Sequence, residues 1–200
     1  MNGDKMSDGV VGQPIIIVSG LPRSGTSLMM QMLKAGGVEI LSDGNREADQ
    51  DNPQGYWEYE PVKSLRRDNS WLKLAEGKAV KVISALLPYL DLDLNYKIIL
   101  MKRPLAEVIA SQRKMLQRLG KSGSPASVEN LKDLFARQLA QTDRWLQTQR
   151  RMTVLTLQYR DAVLEPENLA RAVARILGLP LDIAAMRDVV EPGLYRNIAD

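Results

Sequence analysis

Hydrophobic residues fall into two patterns along this chain: short unbroken apolar runs, and longer stretches where they recur every three or four positions. Residues 14–19 (PIIIVS) are continuously apolar and β-branched, as expected of a strand buried on both faces in a parallel sheet. Leu28, Met29, Met32 and Leu33 follow at helical spacing, and Gly36 and Gly37 end that helix. Residues 78–84 (KAVKVIS), 96–101 (YKIILM) and 152–157 (MTVLTL) predict three more strands. Pro104 opens a helix whose stripe runs through Leu105, Val108, Ile109, Gln112, Met115, Leu116 and Leu119. GKSGSPAS at 120–127 predicts a flexible connection to a long amphipathic helix over 128–150, and residues 167–177 predict another helix, stopped by Gly178 and Pro180. Strands alternating with helices define an α/β protein with a mostly parallel central sheet flanked by helices. Residues 1–13 are polar and glycine-rich and predict a flexible segment, with one domain over 14–200.

Composition narrows the chemistry. The 200 residues contain neither cysteine nor histidine, which excludes disulfides, thiolate nucleophiles, thiolate metal sites and a histidine base. Proton transfer must use carboxylate, lysine or tyrosine. A net charge of +3 without a long basic run fits a small polyanion better than nucleic acid. No secretory core or membrane-spanning run is present, so a soluble cytoplasmic protein is expected.

The first strand leads into Gly20-Leu21-Pro22-Arg23-Ser24-Gly25-Thr26-Ser27. This has the outline of the phosphate loop GxxxxGK[ST], with threonine where the lysine belongs. Successive N–H groups at the helix start still favour an anion. The side-chain cation has moved to Arg23, and loss of the lysine weighs against nucleoside triphosphate chemistry.

PRSGTSLM resembles the 5′-phosphosulfate loop of sulfotransferases that use 3′-phosphoadenosine-5′-phosphosulfate (PAPS), particularly the tyrosyl-protein and carbohydrate branch. The resemblance implies a P-loop-kinase-like three-layer sandwich in which Gly20, Pro22, Arg23, Ser24, Gly25, Thr26 and Ser27 hold the 5′ end of the donor. KIILMKRPLAEVIASQRKML is similar to the family's 3′-phosphate motif, a strand ending in arginine (Arg103) and a helix bearing serine eight residues later (Ser111). Both side chains can donate to the separate ribose phosphate. DNPQGYWE at 51–58 and the late strand and helix, together with these motifs, extend the resemblance over about 14–182. The glycine-rich C-terminal element that completes the 3′-phosphate site in cytosolic members is missing.

Sulfuryl transfer needs an aligned acceptor, a base and cations for the leaving oxygen. Arg23 and Lys81, the latter near a strand end, are the candidate cations; a solvated lysine at a sheet edge is the alternative for Lys81. An acidic residue soon after the first helix, followed by arginine, is the base in the branch that the loop resembles. SDGNR therefore points to Asp43, with Arg46 as a contact to acceptor or cofactor. Glu58, at the start of the next helix, is the chief rival, and Glu47, Asp49, Asp51 and Glu60 compete. Tyr56 and Trp57 are candidates to line an acceptor pocket or to stack on adenine; core packing is the alternative for Trp57. Trp145 and Leu146 on the long helix suit packing on the sheet, with a lid or oligomer contact as alternatives. The expected reaction moves a sulfuryl group from PAPS to a hydroxyl or amine of a small-molecule, carbohydrate or peptide acceptor, releases 3′-phosphoadenosine-5′-phosphate (PAP), and uses no metal, nucleic acid or membrane. A P-loop small-molecule kinase and a non-catalytic nucleotide-binding protein are the alternatives, and a homo-oligomer is left open.

Overall fold

In a computed structural model that describes residues 12–45, 55–118, 120, 125–191 and 193, four parallel strands form one sheet. They are β1 (Ile15–Gly20), β2 (Ala79–Lys81), β3 (Tyr96–Lys102) and β4 (Met152–Gln158), in the order β2-β1-β3-β4. The helices are α1 (Thr26–Ala35), α2 (Leu105–Arg118), α3 (Pro125–Gln147), α4 (Tyr159–Leu164), α5 (Pro166–Leu177) and α6 (Ile183–Asp188). Short 3-10 turns cover Glu60–Ser64, Ser70–Ala75 and Ser84–Tyr89.

The continuous apolar run of β1 is explained by its central place. Ile16 and Val18 face a cluster with Met29 and Leu33 of α1, Val173 of α5 and Met186 of α6. Ile15 and Ile17 face the opposite cluster with Trp71, Leu72, Leu87 and Leu146 of α3. All six β1 residues are buried, and each such aliphatic side chain contributes roughly 1.5–3 kcal/mol. Three layers result. A smaller cluster joins Leu21 of the loop to Val108 of α2 and Phe135 of α3, so the loop itself is anchored from below.

Several boundaries differ from expectation. The strand expected over 78–84 forms only at Ala79–Lys81, because the chain turns at Ile83 into the Ser84–Tyr89 helix, which contains Pro88. The long helix starts at Pro125, inside the expected connection, since proline's fixed φ suits a first helical position. It ends at Gln147, where the Thr148 hydroxyl donates to Trp145 O at 2.7 Å. Trp145 and Leu146 do pack on the sheet. β4 is an edge strand whose Thr153, Thr156 and Gln158 are exposed, so it is buried less completely than its sequence suggested. The short helices α4 and α6 and the 3-10 turn at Ser70–Ala75 were not expected, and the helix expected to start at Glu58 is a 3-10 turn over Glu60–Ser64; each is too short to display a period.

The strand order places a topological switch between β1 and β3. The connection after β1 runs to β2 on one side and that after β3 to β4 on the other, and ligands of open α/β sheets bind outside the carboxyl ends at such a point. Gly20 pairs with Met101, so Arg23 and Arg103 both emerge just past that edge.

Candidate functional site

The loop from Leu21 to Gly25 depends on glycine at both ends. Gly25 precedes α1 in a left-handed conformation, φ 99°. A Cβ there would lie 2.4 Å from the Tyr159 ring, so this position combines backbone strain with steric exclusion. A Cβ on Gly20 would sit 2.3 Å from Ser24 Oγ and 2.6 Å from Met101 O. Arg23 is itself left-handed, φ 69°, which is uncommon for a residue with a side chain. Ser24 is 1% exposed and its Oγ has no hydrogen-bond partner among the described residues. A buried hydroxyl with no partner, in a turn at the start of a helix, fits a donor to a phosphate or sulfate oxygen.

The two sequence motifs interlock on the β3 side. Arg23 Nε donates to Ser111 Oγ at 3.0 Å, and Arg103 Nη1 donates to Arg23 O at 3.5 Å. Arg103 Nε also donates to Glu107 Oε2 at 2.8 Å, with both side chains almost fully buried. The Arg103 guanidinium lies over the Tyr159 ring, 4.4 Å from its centroid. Burial pushes the Tyr159 phenol above its ordinary value, while Arg103 and Arg23 oppose that shift. Glu107 and Tyr159 were missed from sequence. The available signal for Glu107 was its spacing, four residues from both Arg103 and Ser111.

A second group gathers on the β2 side. Lys81, paired with Val18 of β1, points toward α1 because its neighbours Val80 and Val82 fill the opposite core. Its Nζ donates to Ser27 Oγ at 3.5 Å and to Tyr56 O, and lies 3.9 Å from Glu58 Oε1. The Lys81 side chain is only 9% exposed, so this is no solvated lysine at a sheet edge. Ser27 lies in the first turn of α1, whose N–H groups and dipole favour an anion at the same end.

The candidate carboxylates separate clearly. Glu58 reaches Lys81; it precedes the 3-10 turn that begins at Glu60, and is not itself the start of a helix. Asp43 instead braces its own loop, accepting from Glu60 N at 2.5 Å and Asn45 N at 3.0 Å, while its N–H donates to Glu58 O at 3.2 Å. The Glu60 N–H holds the exposed Asp43 carboxyl below its ordinary value. Glu60 pairs with Lys63 at 2.6 Å, on the surface. Arg46, Glu47, Asp49 and Asp51 lie outside the described residues.

Tyr56 is buried, and its ring lies 5.9 Å from Lys81 Nζ. Trp57 packs against the α1 core with Lys34 4.4 Å above its ring, which favours an anchoring position over an open pocket wall. Its backbone is left-handed, φ 52°, an outlier for so large a side chain.

A parallel sheet with a phosphate-type loop at its switch point defines the P-loop-kinase-like α/β class. The chain belongs to the sulfotransferase family: the sulfotransferase domain matches residues 13–197. It is therefore a transferase, and an enzyme of sulfuryl transfer. No curated protein matches it by sequence. Among solved structures it is similar to the sulfotransferase domain of the Synechococcus PCC 7002 olefin synthase, with 17% identity, TM-score 0.55, and coverage of 96% of this chain and 90% of that one. Sulfotransferase STF1 from Mycobacterium tuberculosis H37Rv aligns at 14% identity and TM-score 0.59 over 91% of this chain and 72% of that one. Mouse sulfotransferase SULT7A1, solved in complex with PAP, aligns at 12% identity and TM-score 0.53 over 90% and 64%. These likenesses establish a shared fold. No described helix is long and apolar enough to cross a membrane.

Proposed function

We propose that this sulfotransferase draws on PAPS and delivers the sulfuryl group to a hydroxyl or amine of a small-molecule, carbohydrate or peptide acceptor. One observation carries the choice of donor. Arg23 from the loop and Arg103 from the second motif are joined through Ser111 and the Arg23 carbonyl at one switch point. Two linked cationic groups suit a ligand with two separate phosphates better than a linear triphosphate.

The residues present fit such a ligand. The loop N–H groups, the orphan Ser24 hydroxyl, Thr26 and Ser27 would hold its 5′ end, and Arg103 with Ser111 its 3′-phosphate. When bound, PAPS supplies an activated sulfuryl group and leaves as PAP.

Arg23 and Lys81 then hold positive charge beside the loop, where negative charge develops on the leaving oxygen. Glu58 accepts the proton of the acceptor hydroxyl or amine, near Lys81. Asp43 is the poorer base: two backbone N–H groups occupy its carboxylate and lower its affinity for a proton.

Calorimetric titration tests the donor. PAP without metal is expected to bind tightly, and Arg103→Ala to weaken it by roughly 10- to 100-fold, as loss of a charge-assisted hydrogen bond implies. Binding of ADP with magnesium and not of PAP would return the chain to the kinase-like alternative.

A further inference from the structure

Glu107 has no part in the chemistry above, yet it is one of the most deeply buried charges in the fold, 3% exposed on α2. It stands one helical turn before Ser111, so the two side chains share a face of that helix. Glu107 binds Arg103 Nε, Arg103 Nη1 binds the Arg23 carbonyl, and Arg23 Nε binds Ser111. The circuit closes through the α2 backbone. One turn of one helix thereby brackets both arginines, and the Arg23 carbonyl that receives Arg103 belongs to the left-handed residue of the loop.

We infer that Glu107 is a positioning residue for donor recognition: it orients the Arg103 guanidinium toward the 3′-phosphate. The inference rests on the PAPS reading above. Two physical effects of the carboxylate oppose each other. Its charge repels a bound phosphate, whereas its hydrogen bond removes the rotational freedom that Arg103 would otherwise lose on binding. At 2.8 Å and almost fully buried, with Arg103 stacked on Tyr159, orientation outweighs repulsion.

The test compares PAP with adenosine 5′-monophosphate, which lacks the 3′-phosphate, by calorimetry on the full chain. Glu107→Gln is expected to weaken PAP by about tenfold or more while changing the monophosphate by less than about threefold. In an Arg103→Ala background the same substitution should have almost no further effect on PAP, since it acts through that arginine. Glu107→Asp keeps the charge with a shorter reach and is expected to show a smaller loss of the same kind; it carries the comparison if the Gln variant does not fold. Tighter PAP binding in Glu107→Gln would mean that repulsion dominates and would overturn the inference. Equal weakening of both ligands would reduce Glu107 to a structural role and overturn it as well. If Arg103→Ala leaves the ratio of the two affinities untouched, the donor assignment itself fails. If Arg103→Ala collapses that ratio and Glu107→Gln does not move it, only the role of Glu107 fails.

Discussion

The two sides of the β1 carboxyl end are built by different means. On the β3 side, Arg103, Glu107 and Ser111 come from a strand end and the regular helix that follows it, and Arg23 is bonded into them. On the β2 side, only Lys81 belongs to a strand. Its partners Tyr56 and Glu58 sit on an irregular segment shaped by left-handed backbone at Gly55, φ 89°, and Trp57, φ 52°. A strand end and a regular helix hold the groups assigned to the donor's 3′-phosphate, while Tyr56 and Glu58, assigned to the acceptor and its proton, ride on a loop. Loops on a fixed scaffold are where binding and catalytic variation concentrate. The donor side should therefore fail through binding, and the acceptor side through turnover.

The largest effect is expected from the β2 side. Glu58→Gln should lower turnover by roughly 10²- to 10⁴-fold, the range for loss of a general base, with PAP affinity changed by less than about threefold. Lys81→Met should cost about 2.7–4 kcal/mol in the barrier, as removal of a transition-state donor does. Both are read as PAP release with a phenol as acceptor, next to calorimetry with PAP. A large loss of PAP affinity in Glu58→Gln, with turnover of the saturated enzyme preserved, would erase the division between the two sides.

Gly25→Ala probes the donor side through the backbone. The left-handed conformation costs an alanine about 1–2 kcal/mol, and contact with the Tyr159 ring adds to that. Denaturant unfolding should show a loss of at least ~2 kcal/mol. Adding Tyr159→Ala in the same chain removes the steric part only, so the double variant should lose less than the sum of the singles. Strict additivity would show that the ring and the loop do not meet in solution.

How far the sequence could be read follows the same division. The loop, Arg103 and Ser111 were legible because each lies at a fixed offset from a strand end, and a parallel sheet brings such ends to one edge. Lys81 was legible for the same reason, although the shortness of β2 was not, since KAVKVIS carries no signal that pairing stops at Lys81. Glu107 was hidden because an acidic residue in a first helical turn ordinarily complements the helix dipole on the surface. The six carboxylates in the region 43–60 were ordered with Asp43 ahead of Glu58 by resemblance alone; their placement was not legible, because the turn at Trp57 depends on a positive φ that tryptophan does not announce. A strand-and-helix frame is set by periodic burial, but the direction of a loop carboxylate is set by single torsions.

That torsion gives the next effect in size. At Trp57 every substitution loses the packed indole and its contact with Lys34, so comparison of two truncations isolates the backbone. Glycine takes φ 52° without strain and alanine does not. Trp57→Gly should therefore be less destabilising than Trp57→Ala by about 1 kcal/mol, measured by urea unfolding, despite glycine's greater freedom when unfolded. The opposite order would mean that the segment is free to relax, which would weaken the case for a fixed Glu58.

The smallest effect belongs to Asp43 and separates it from Glu58. Its carboxyl is held below the ordinary value, first by the Glu60 N–H, so the folded state favours the charged form. The sign follows directly: the stabilisation is complete above the unfolded-state value, and is lost as the pH falls through the lower folded value. Between pH 7 and pH 5 it is constant. Asp43→Asn keeps one acceptor oxygen and gives up the charge of an exposed group, so at pH 7 it should cost only about 0.5–1 kcal/mol. As the pH falls through the lowered folded value the wild-type carboxyl itself becomes neutral, and the gap between the two proteins should shrink. Turnover on a phenol should stay within about threefold of wild type, since the carboxylate braces the turn that carries Glu58 without taking the proton. A loss of two orders of magnitude in turnover with stability unchanged would exchange the roles of the two acids and move the proton acceptor off the Lys81 cluster.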